Sequence, residues 1–247
     1  MRRAGVLLVA FCLLSGCRWQ SDGRDHNPDN QPAYAHPART SEAPRHVVHG
    51  PAVRTGQALL QVVNGADVVR VRVADLGDRL FEISTPEDSK AAPAADVTDS
   101  SVIVGFRDTG RPGPAVVTAV LSNDVRWTVR LSGGAGDELV DLTGGPGGDV
   151  DLAAGTSRAE VALPAAHGTQ RVTMTGGAGQ LLVRLTGNAP ARVAATGGAG
   201  AVTIDGQTRT GIPGGSMWTP DTWATATDRY DINASAGVST LTVTRSS

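Results

Sequence analysis

One short phrase recurs about every ten or eleven residues between Trp127 and Gly206, and it constrains the fold more than any other feature of this chain. The phrase consists of an apolar residue, any residue and a second apolar residue, followed by small residues and glycines. A fixed period of this kind is typical of repeat architectures. The apolar pairs are Val129/Leu131, Val140/Leu142, Val150/Leu152, Val161/Leu163, Val172/Met174, Val183/Leu185, Val193/Ala195 and Val202/Ile204.

The repeated phrase predicts strands. Each apolar pair alternates with a period of two, as a half-buried strand does, and Val, Leu and Ile suit a pleated surface. A helix is disfavoured because glycines interrupt the pattern about every tenth residue, and each glycine costs about 1 kcal/mol in a helix. We therefore predict an all-β fold, in which strands this short need stacked neighbours to bury one face.

Two ways of stacking the strands are open. If successive strands pair, the chain is an antiparallel β-meander with a period near 11 residues; if every second strand pairs, it is a single-stranded β-solenoid with coils of about 21 residues. The Gly-Gly-Ala-Gly phrases at 133, 176 and 197 favour the solenoid, since their spacings are multiples of the longer period. The solenoid places Arg130 beside Asp151 on an outer face. It also predicts two inward columns, one of Val129, Val150, Val172 and Val193 and the other of Val140, Val161, Val183 and Val202.

Residues 1–16 have the features of a lipoprotein signal peptide. Arg2 and Arg3 precede a short apolar run that cannot span a bilayer, which needs about 20 apolar residues. The run ends in Leu14-Ser15-Gly16-Cys17, which resembles the bacterial lipobox. The resemblance implies cleavage before Cys17 and a diacylglycerol on its sulfur, so that two or three acyl chains, such as palmitate, hold the protein at the membrane. The alternative is an ordinary secretory signal with an incidental cysteine.

Three further regions follow the signal peptide. Residues 17–52 are predicted to form a disordered tether, because prolines and polar residues dominate and little apolar surface is available for burial. Residues 53–124 are predicted to form irregular N-terminal strands or a cap that protects the repeat stack from edge pairing; within them, Asn64-Gly65 is a β-hairpin signal. Residues 125–247 are predicted to form the repeat solenoid with a C-terminal cap.

Motifs that carry chemistry are weak in this chain. The stretch 144–152 nearly matches a calcium-binding nonapeptide, but Asp151 stands at an apolar position and no second copy follows. We find no nucleophile elbow, P-loop or zinc motif, and His167 lies in a predicted turn. We therefore expect no catalytic residue, no metal and no cofactor, and hence no enzyme. The net charge of −2 argues against nucleic acid as a partner.

Trp218 and Trp223 follow the last regular repeat, in a predicted loop. They form the candidate interaction surface of this chain. A cap that covers the C-terminal end of the core would explain both tryptophans equally well.

The repeat region resembles a known family. Residues 125–131 followed by Gly133-Gly134-Ala135-Gly136, then Val140-Asp141-Leu142 and Val161-Ala162-Leu163-Pro164, resemble bacterial β-strand-repeat envelope proteins. Their family is labelled "putative adhesin", a domain of unknown function. The likeness spans about residues 125–243 and implies a right-handed β-solenoid displayed at the cell envelope. The family has no established catalytic residues, so none is transferred to this chain.

We therefore expect a lipid-anchored protein on the extracytoplasmic face of the cell membrane that acts as a non-catalytic binding or adhesion module. Its partner would be an envelope protein or a polysaccharide. Two alternatives stay open: an envelope-stress or signalling accessory that binds a membrane protein, and a carbohydrate-active β-solenoid enzyme. An exposed apolar patch around Trp218 and Trp223 would favour binding, whereas a cleft with two close carboxylates would favour the enzyme.

Overall fold

The protein is all-β, as the sequence predicts. The computed structural model describes residues 45–51 and 56–246, and no described residue lies in a helix. Cys17, the signal peptide and most of the predicted tether lie outside the described residues. The described residues form nineteen strands: β1 (Val47–Pro51), β2 (Gln57–Val62), β3 (Ala66–Ala74), β4 (Arg79–Ser84), β5 (Ala91–Thr98), β6 (Ser101–Asp108), β7 (Val116–Ser122), β8 (Arg126–Leu131), β9 (Ala135–Asp141), β10 (Gly148–Leu152), β11 (Thr156–Leu163), β12 (Thr169–Met174), β13 (Ala178–Thr186), β14 (Ala191–Ala195), β15 (Ala199–Ile204), β16 (Gln207–Ile212), β17 (Ser216–Trp218), β18 (Arg229–Ala234) and β19 (Val238–Ser246).

The strands form two mixed sheets. The ten-stranded sheet has the order β1-β4-β7-β3-β9-β11-β13-β19-β15-β16, and the nine-stranded sheet has the order β17-β14-β18-β12-β10-β8-β2-β6-β5. From β8 to β13, successive strands alternate between the two sheets, and every second strand pairs in parallel. A meander would instead pair successive strands antiparallel. We call one strand of each sheet, joined along the chain, a layer.

The register of the central layers agrees with the predicted columns. Arg130 pairs with Asp151 in register, and its Nη1 lies 3.0 Å from Asp151 Oδ2 on the outer face, so this prediction is confirmed. The apolar side chains of the columns are almost completely buried between the sheets. In register are Val129, Val150 and Val172 in one sheet, and Val140, Val161 and Val183 in the other.

The first column contains all four predicted valines, but Ile232 is inserted between Val172 and Val193. Strand β18 lies between β12 and β14, so Ile232 stands beside Val172, and Val193 is one strand further out. The reason is physical: Tyr230-Asp231-Ile232 carries the same alternation as the repeats, and therefore satisfies the same position in the sheet. Local periodicity does not distinguish which of two equivalent strands occupies an interior position.

The second column is wrong at the same layer. Strand β19 lies between β13 and β15, and Val243 therefore stands beside Val183. Val202 pairs with Leu241 and lies two residues away from the predicted register, whereas Ile204 continues the column beyond Val243. The C-terminal pair β18/β19 is thus an interior layer, and the layer β14/β15 closes the parallel stack.

The other end of the stack shows a similar arrangement. Strands β2 and β3 lie between β8/β9 and the layer β6/β7, although β6 and β7 come later in the chain than β3. Within the predicted tether, Val47–Pro51 forms β1 and pairs with β4. The absence of a side chain at Gly50 lets β1 pack closely against Phe81, because a Cβ atom at this position would lie 2.4 Å from Phe81 Cε1.

The hairpin prediction at Asn64-Gly65 is wrong, because β2 and β3 belong to different sheets. Asn64-Gly65 is instead a corner between the sheets, stacked on the corner Gly133-Gly134 of the next layer. A Cβ atom on Gly133 would lie 2.0 Å from the Asn64 carbonyl oxygen, and one on Gly176 would lie 2.1 Å from the backbone of Ala154. The repeated glycines therefore permit close stacking of corner backbones.

Two large aromatic residues fill the space between the sheets. Trp127 is fully buried, and its Nε1 donates a hydrogen bond to the Ser122 carbonyl oxygen at 3.0 Å. The Tyr230 hydroxyl lies 2.7 Å from the carbonyl oxygens of both Pro164 and Thr186, and it can donate to one of them at a time. Burial raises the pKa of Tyr230. Through these carbonyls, Tyr230 joins β18 to the corners of two neighbouring layers.

Candidate interaction site

The structure places the two candidate tryptophans at the C-terminal end of the stack, in different surroundings. Trp218 belongs to β17, which pairs antiparallel with β14, and it stands opposite Val193. It is partly buried and packs against the core. Trp223 lies in the segment that joins β17 to β18, and its Nε1 donates to the Tyr230 carbonyl oxygen at 2.8 Å. Strand β17 therefore directs Trp218 toward the interior, whereas Trp223 is attached to strand β18.

Two arginines hold Trp223 in place. The guanidinium carbon of Arg192 lies 3.9 Å from the ring centroid of Trp223, and that of Arg229 lies 4.6 Å from it. Arg229 also donates to the carbonyl oxygens of Trp223 and Ala224, both at 3.2 Å. Cation–π contacts of this kind contribute about 0.5–2 kcal/mol each, depending on exposure. The segment after β17 is therefore fixed to the sheet by Trp223.

Arg192 also makes the best-formed ion pair of this region. Its Nε and Nη2 donate to the two carboxylate oxygens of Asp231 at 2.9 and 2.6 Å, in a bidentate arrangement across β14 and β18. The hydrogen bond to Asp231 raises the pKa of Arg192 above its ordinary value. The guanidinium is therefore held between a carboxylate and an indole ring, a position that Lys cannot reproduce.

A cavity of about 440 Å³ opens beside Trp218. This volume lies within the range of sites for small ligands, about 300–1,000 Å³. Its wall is mainly apolar, with one ion pair between Arg245 and Asp205 at 3.3 Å. The wall includes Ala191, Val193, Ile204, Trp218, Asp205 and Arg245.

A groove of about 310 Å³ lies on the outer face of the nine-stranded sheet. Met217 lines both the groove and the cavity, and it is 59% exposed, the largest exposure among the large apolar residues of the described chain. Polar side chains surround the groove and can donate and accept hydrogen bonds. These polar residues are Arg171, Thr173, Arg192, Thr196, Asp231 and Asn233.

Several acidic side chains on the outer faces form ion pairs with arginines, Asp149 and Asp151 among them. Within residues 45–51 and 56–246, no group of three His, Cys, Asp or Glu side chains could hold a metal ion. The side chains on these faces can recognise a partner through hydrogen bonds and charge. The pairs include Arg130–Asp151 at 3.0 Å, Arg171–Asp149 at 3.6 Å, Arg184–Glu160 at 2.7 Å and Arg192–Asp231 at 2.6 Å.

Glu138 is an acidic residue of another kind. It is 1% exposed, stands in register between Val69 and Ala159, and neither of its carboxyl oxygens has a hydrogen-bond partner in the described part of the chain. Burial raises the pKa of Glu138 to about 8. The protonated, uncharged form is therefore favoured in the folded protein, since removal from water penalises the charged carboxylate.

Sequence reasoning missed Met217, Arg192 and Arg245, because their roles depend on which strands lie next to one another. One local signal was available. Asp205-Gly206 joins β15 to β16, both residues have positive φ (47° and 83°), and Asp-Gly is a strong hairpin signal. Recognising this hairpin would have placed Asp205 at the end of the parallel stack.

Comparisons with known proteins give a likeness in fold. No protein-family model matches the chain, and no curated protein matches it in sequence. Among solved structures, the fold is similar to that of a "putative cell adhesion protein" from Clostridium sporogenes ATCC 15579, with a TM-score of 0.51 and 14% sequence identity. The match covers 82% of this chain and 100% of that one. At this identity the likeness concerns the fold alone.

None of the described residues forms a helix of the length and hydrophobicity required to cross a membrane.

Proposed function

We propose that this chain is a lipid-anchored, extracytoplasmic β-repeat protein that acts as a non-catalytic binding or adhesion module of the cell envelope. The observation that carries the proposal is the position of Met217, which is largely exposed and lines both the cavity and the groove at the C-terminal end of the stack. An exposed apolar side chain rimmed by polar groups is a typical feature of an interaction surface. Trp218 is next to Met217 on β17, and Trp223 contacts Arg192, which lines the same groove as Met217. Both are aromatic groups of the kind enriched in interaction surfaces.

The fold supports the same proposal. The protein from Clostridium sporogenes with a similar fold is named a "putative cell adhesion protein". A stack of short strands presents flat faces suited to a partner. For the layers from β8 to β13 we propose the right-handed β-solenoid winding that the sequence favours. β10 pairs in parallel with β8 and β12, and β11 pairs in parallel with β9 and β13. This pairing of every second strand supports the winding.

The membrane attachment of the proposal depends on Cys17. A protein anchored there would stand on the extracytoplasmic face of the cell membrane, with an envelope protein or a polysaccharide as its partner. Mass spectrometry of the mature N-terminus would detect a diacylglycerol-modified Cys17, and Cys17→Ser would release the protein from the membrane. Recovery of unmodified wild-type protein in the soluble fraction would contradict the anchoring.

The binding role is tested with a surface variant and a matched control. The wild-type protein, Met217→Ser and Val97→Ser would each be crosslinked in intact envelopes, and the attached component identified. Val97 is 45% exposed on β5, the edge strand of the nine-stranded sheet that lies opposite to β17. Val97→Ser therefore also replaces an exposed apolar side chain by serine, but far from Met217. We expect Met217→Ser to lose the crosslinked component and Val97→Ser to retain it. Equal crosslinking by all three proteins would contradict binding at this end.

A further inference from the structure

Arg245 occupies a position that apolar residues occupy in the earlier layers. Along the inner face of the ten-stranded sheet, Leu163 pairs in register with Leu185, and Leu185 pairs in register with Arg245. Leu163 and Leu185 are fully buried, whereas the side chain of Arg245, in the last layer but one, is 26% exposed. A charged residue in an inward row is unusual, because charges are rarely buried without a partner.

In the opposite sheet, the inward side chains become smaller just beyond the layer that carries Arg245. Gln170, Tyr230 and Ala191 follow one another in register on β12, β18 and β14, and Ala191 is far smaller than the other two. The cavity of about 440 Å³ lies next to Ala191, between the two sheets. Two departures from the repeat pattern therefore meet at this cavity. The small side chain of Ala191 leaves space between the sheets, and the guanidinium of Arg245 forms part of the cavity wall.

The hydrogen bonds of Arg245 leave donors available. Its Nε donates to Asp205 Oδ2 at 3.3 Å, and its Nη1 donates to the carbonyl oxygens of Gly187 at 3.3 Å and Ala189 at 2.8 Å. These three bonds fix the plane of the guanidinium. Nη2 has no hydrogen-bond partner among the described residues, and its two N–H groups can therefore bind an anion. Asp205, with a side chain 48% exposed, competes for the same positive charge.

We propose that this cavity binds an apolar carboxylate, with the aliphatic chain between Trp218, Val193 and Ile204 and the carboxylate on Arg245. The apolar wall would exclude water from the chain, and the guanidinium would select the anion by a charge-assisted hydrogen bond. The inference rests on the proposed binding role and names the ligand class of that same end of the stack.

Isothermal titration calorimetry tests the inference with the purified full chain and three ligands of equal chain length: octanoate, octan-1-ol and octyltrimethylammonium. We expect octanoate to bind at least about tenfold more tightly than either of the others. Trp218→Ala should weaken octanoate and octan-1-ol alike, since it removes part of the apolar wall. Equal affinity for all three ligands, or no binding of octanoate by the folded protein, would overturn the inference.

Two variants separate ligand binding from a purely structural ion pair. Arg245→Gln should weaken octanoate about tenfold and leave octan-1-ol unchanged. Asp205→Asn should strengthen octanoate binding several-fold, because it removes the competing carboxylate, and Asn accepts the positive φ of this turn. If Arg245→Gln does not fold, Asp205→Asn alone decides, and weaker octanoate binding by that variant would overturn the inference.

Failure of this inference is distinguishable from failure of the proposed function. The titration uses defined small molecules, whereas the crosslinking experiment follows a component of the envelope through Met217. Loss of octanoate binding together with crosslinking that depends on Met217 would refute the carboxylate site alone.

Discussion

Val172 and Ile232 occupy equivalent positions on neighbouring parallel strands, with Val193 one strand beyond Ile232. The strand that follows Val172 in the sheet thus comes from the C-terminal end of the chain. The layer β18/β19 carries Tyr230, Asp231 and the row that ends in Arg245, so its position between the β12/β13 and β14/β15 layers places these groups at the candidate site. The candidate site depends on this order of strands.

Replacing Gly176 tests the stacking of the corners. We expect Gly176→Ala to destabilise the protein by about 1–3 kcal/mol, because the new Cβ would lie 2.1 Å from the backbone of Ala154, which cannot move as a side chain does. Gly56→Ala is the control, since nothing lies within 4 Å of a Cβ atom at that position. Chemical denaturation measures both free energies of unfolding. Equal stability of the two variants would contradict the proposed role of the corner glycines.

The buried carboxyl of Glu138 should make the free energy of unfolding depend on pH. The carboxyl has a pKa of about 8 in the folded protein and an ordinary value of 4.5 when it is exposed, so the folded state binds the proton more tightly. The contribution of this proton to the free energy of unfolding is fully present below pH 4.5 and is lost as the pH rises toward 8. The loss amounts to a few kcal/mol, on the order of 4–5 at most.

The measurement is the free energy of unfolding from pH 5 to pH 9, for the wild-type protein and for Glu138→Gln. We expect the wild-type value to fall across this range and the value of Glu138→Gln to stay nearly constant. The pKa of Asp67 is lowered by its hydrogen bond to Lys90, so its effect has the opposite sign and is confined to more acidic pH. Parallel pH profiles for the two proteins would rule out Glu138 as the cause.

The ion pair of Arg192 should depend on its guanidinium geometry. Arg192→Lys removes the bidentate bond to Asp231 and the stacking on Trp223, and we expect a loss of about 1–2 kcal/mol. Arg130→Lys, in the more exposed pair with Asp151, should cost less than about 0.5 kcal/mol. Thermal unfolding of both variants checks the difference. A cost for Arg130→Lys as large as that for Arg192→Lys would refute this ranking.

Local periodicity accounts for the part of the fold that the sequence predicts. Alternation with a period of two identifies the strands, and the longer period of the glycine phrases identifies pairing between every second strand. The confirmed pair Arg130–Asp151 follows from these two periods alone. The periods are properties of short segments, and for that reason they hold in the central layers.

The order of strands at both ends could not be predicted in the same way. Ile232 and Val193 lie in segments of similar alternation, and nothing local decides which one adjoins Val172. The candidate site could not be predicted in full for the same reason, since it depends on which strands are neighbours. Trp218 and Trp223 stand out in the sequence by residue type, whereas Met217 and Arg245 become significant only once β14 and β19 have been placed.

Cysteine crosslinking tests the insertion of the C-terminal layer most directly. With Cys12 and Cys17 replaced by serine, Thr173→Cys/Asn233→Cys would be compared with Thr173→Cys/Ala194→Cys under mild oxidation. Thr173 and Asn233 are paired in register on adjacent strands, which lie about 4.8 Å apart, whereas Ala194 is one strand further away, beyond the roughly 7 Å limit for a disulfide. We predict a disulfide in the first variant and none in the second, read by peptide mass spectrometry. A disulfide in the second variant alone would show that β14 adjoins β12, and would contradict the architecture on which the candidate site depends.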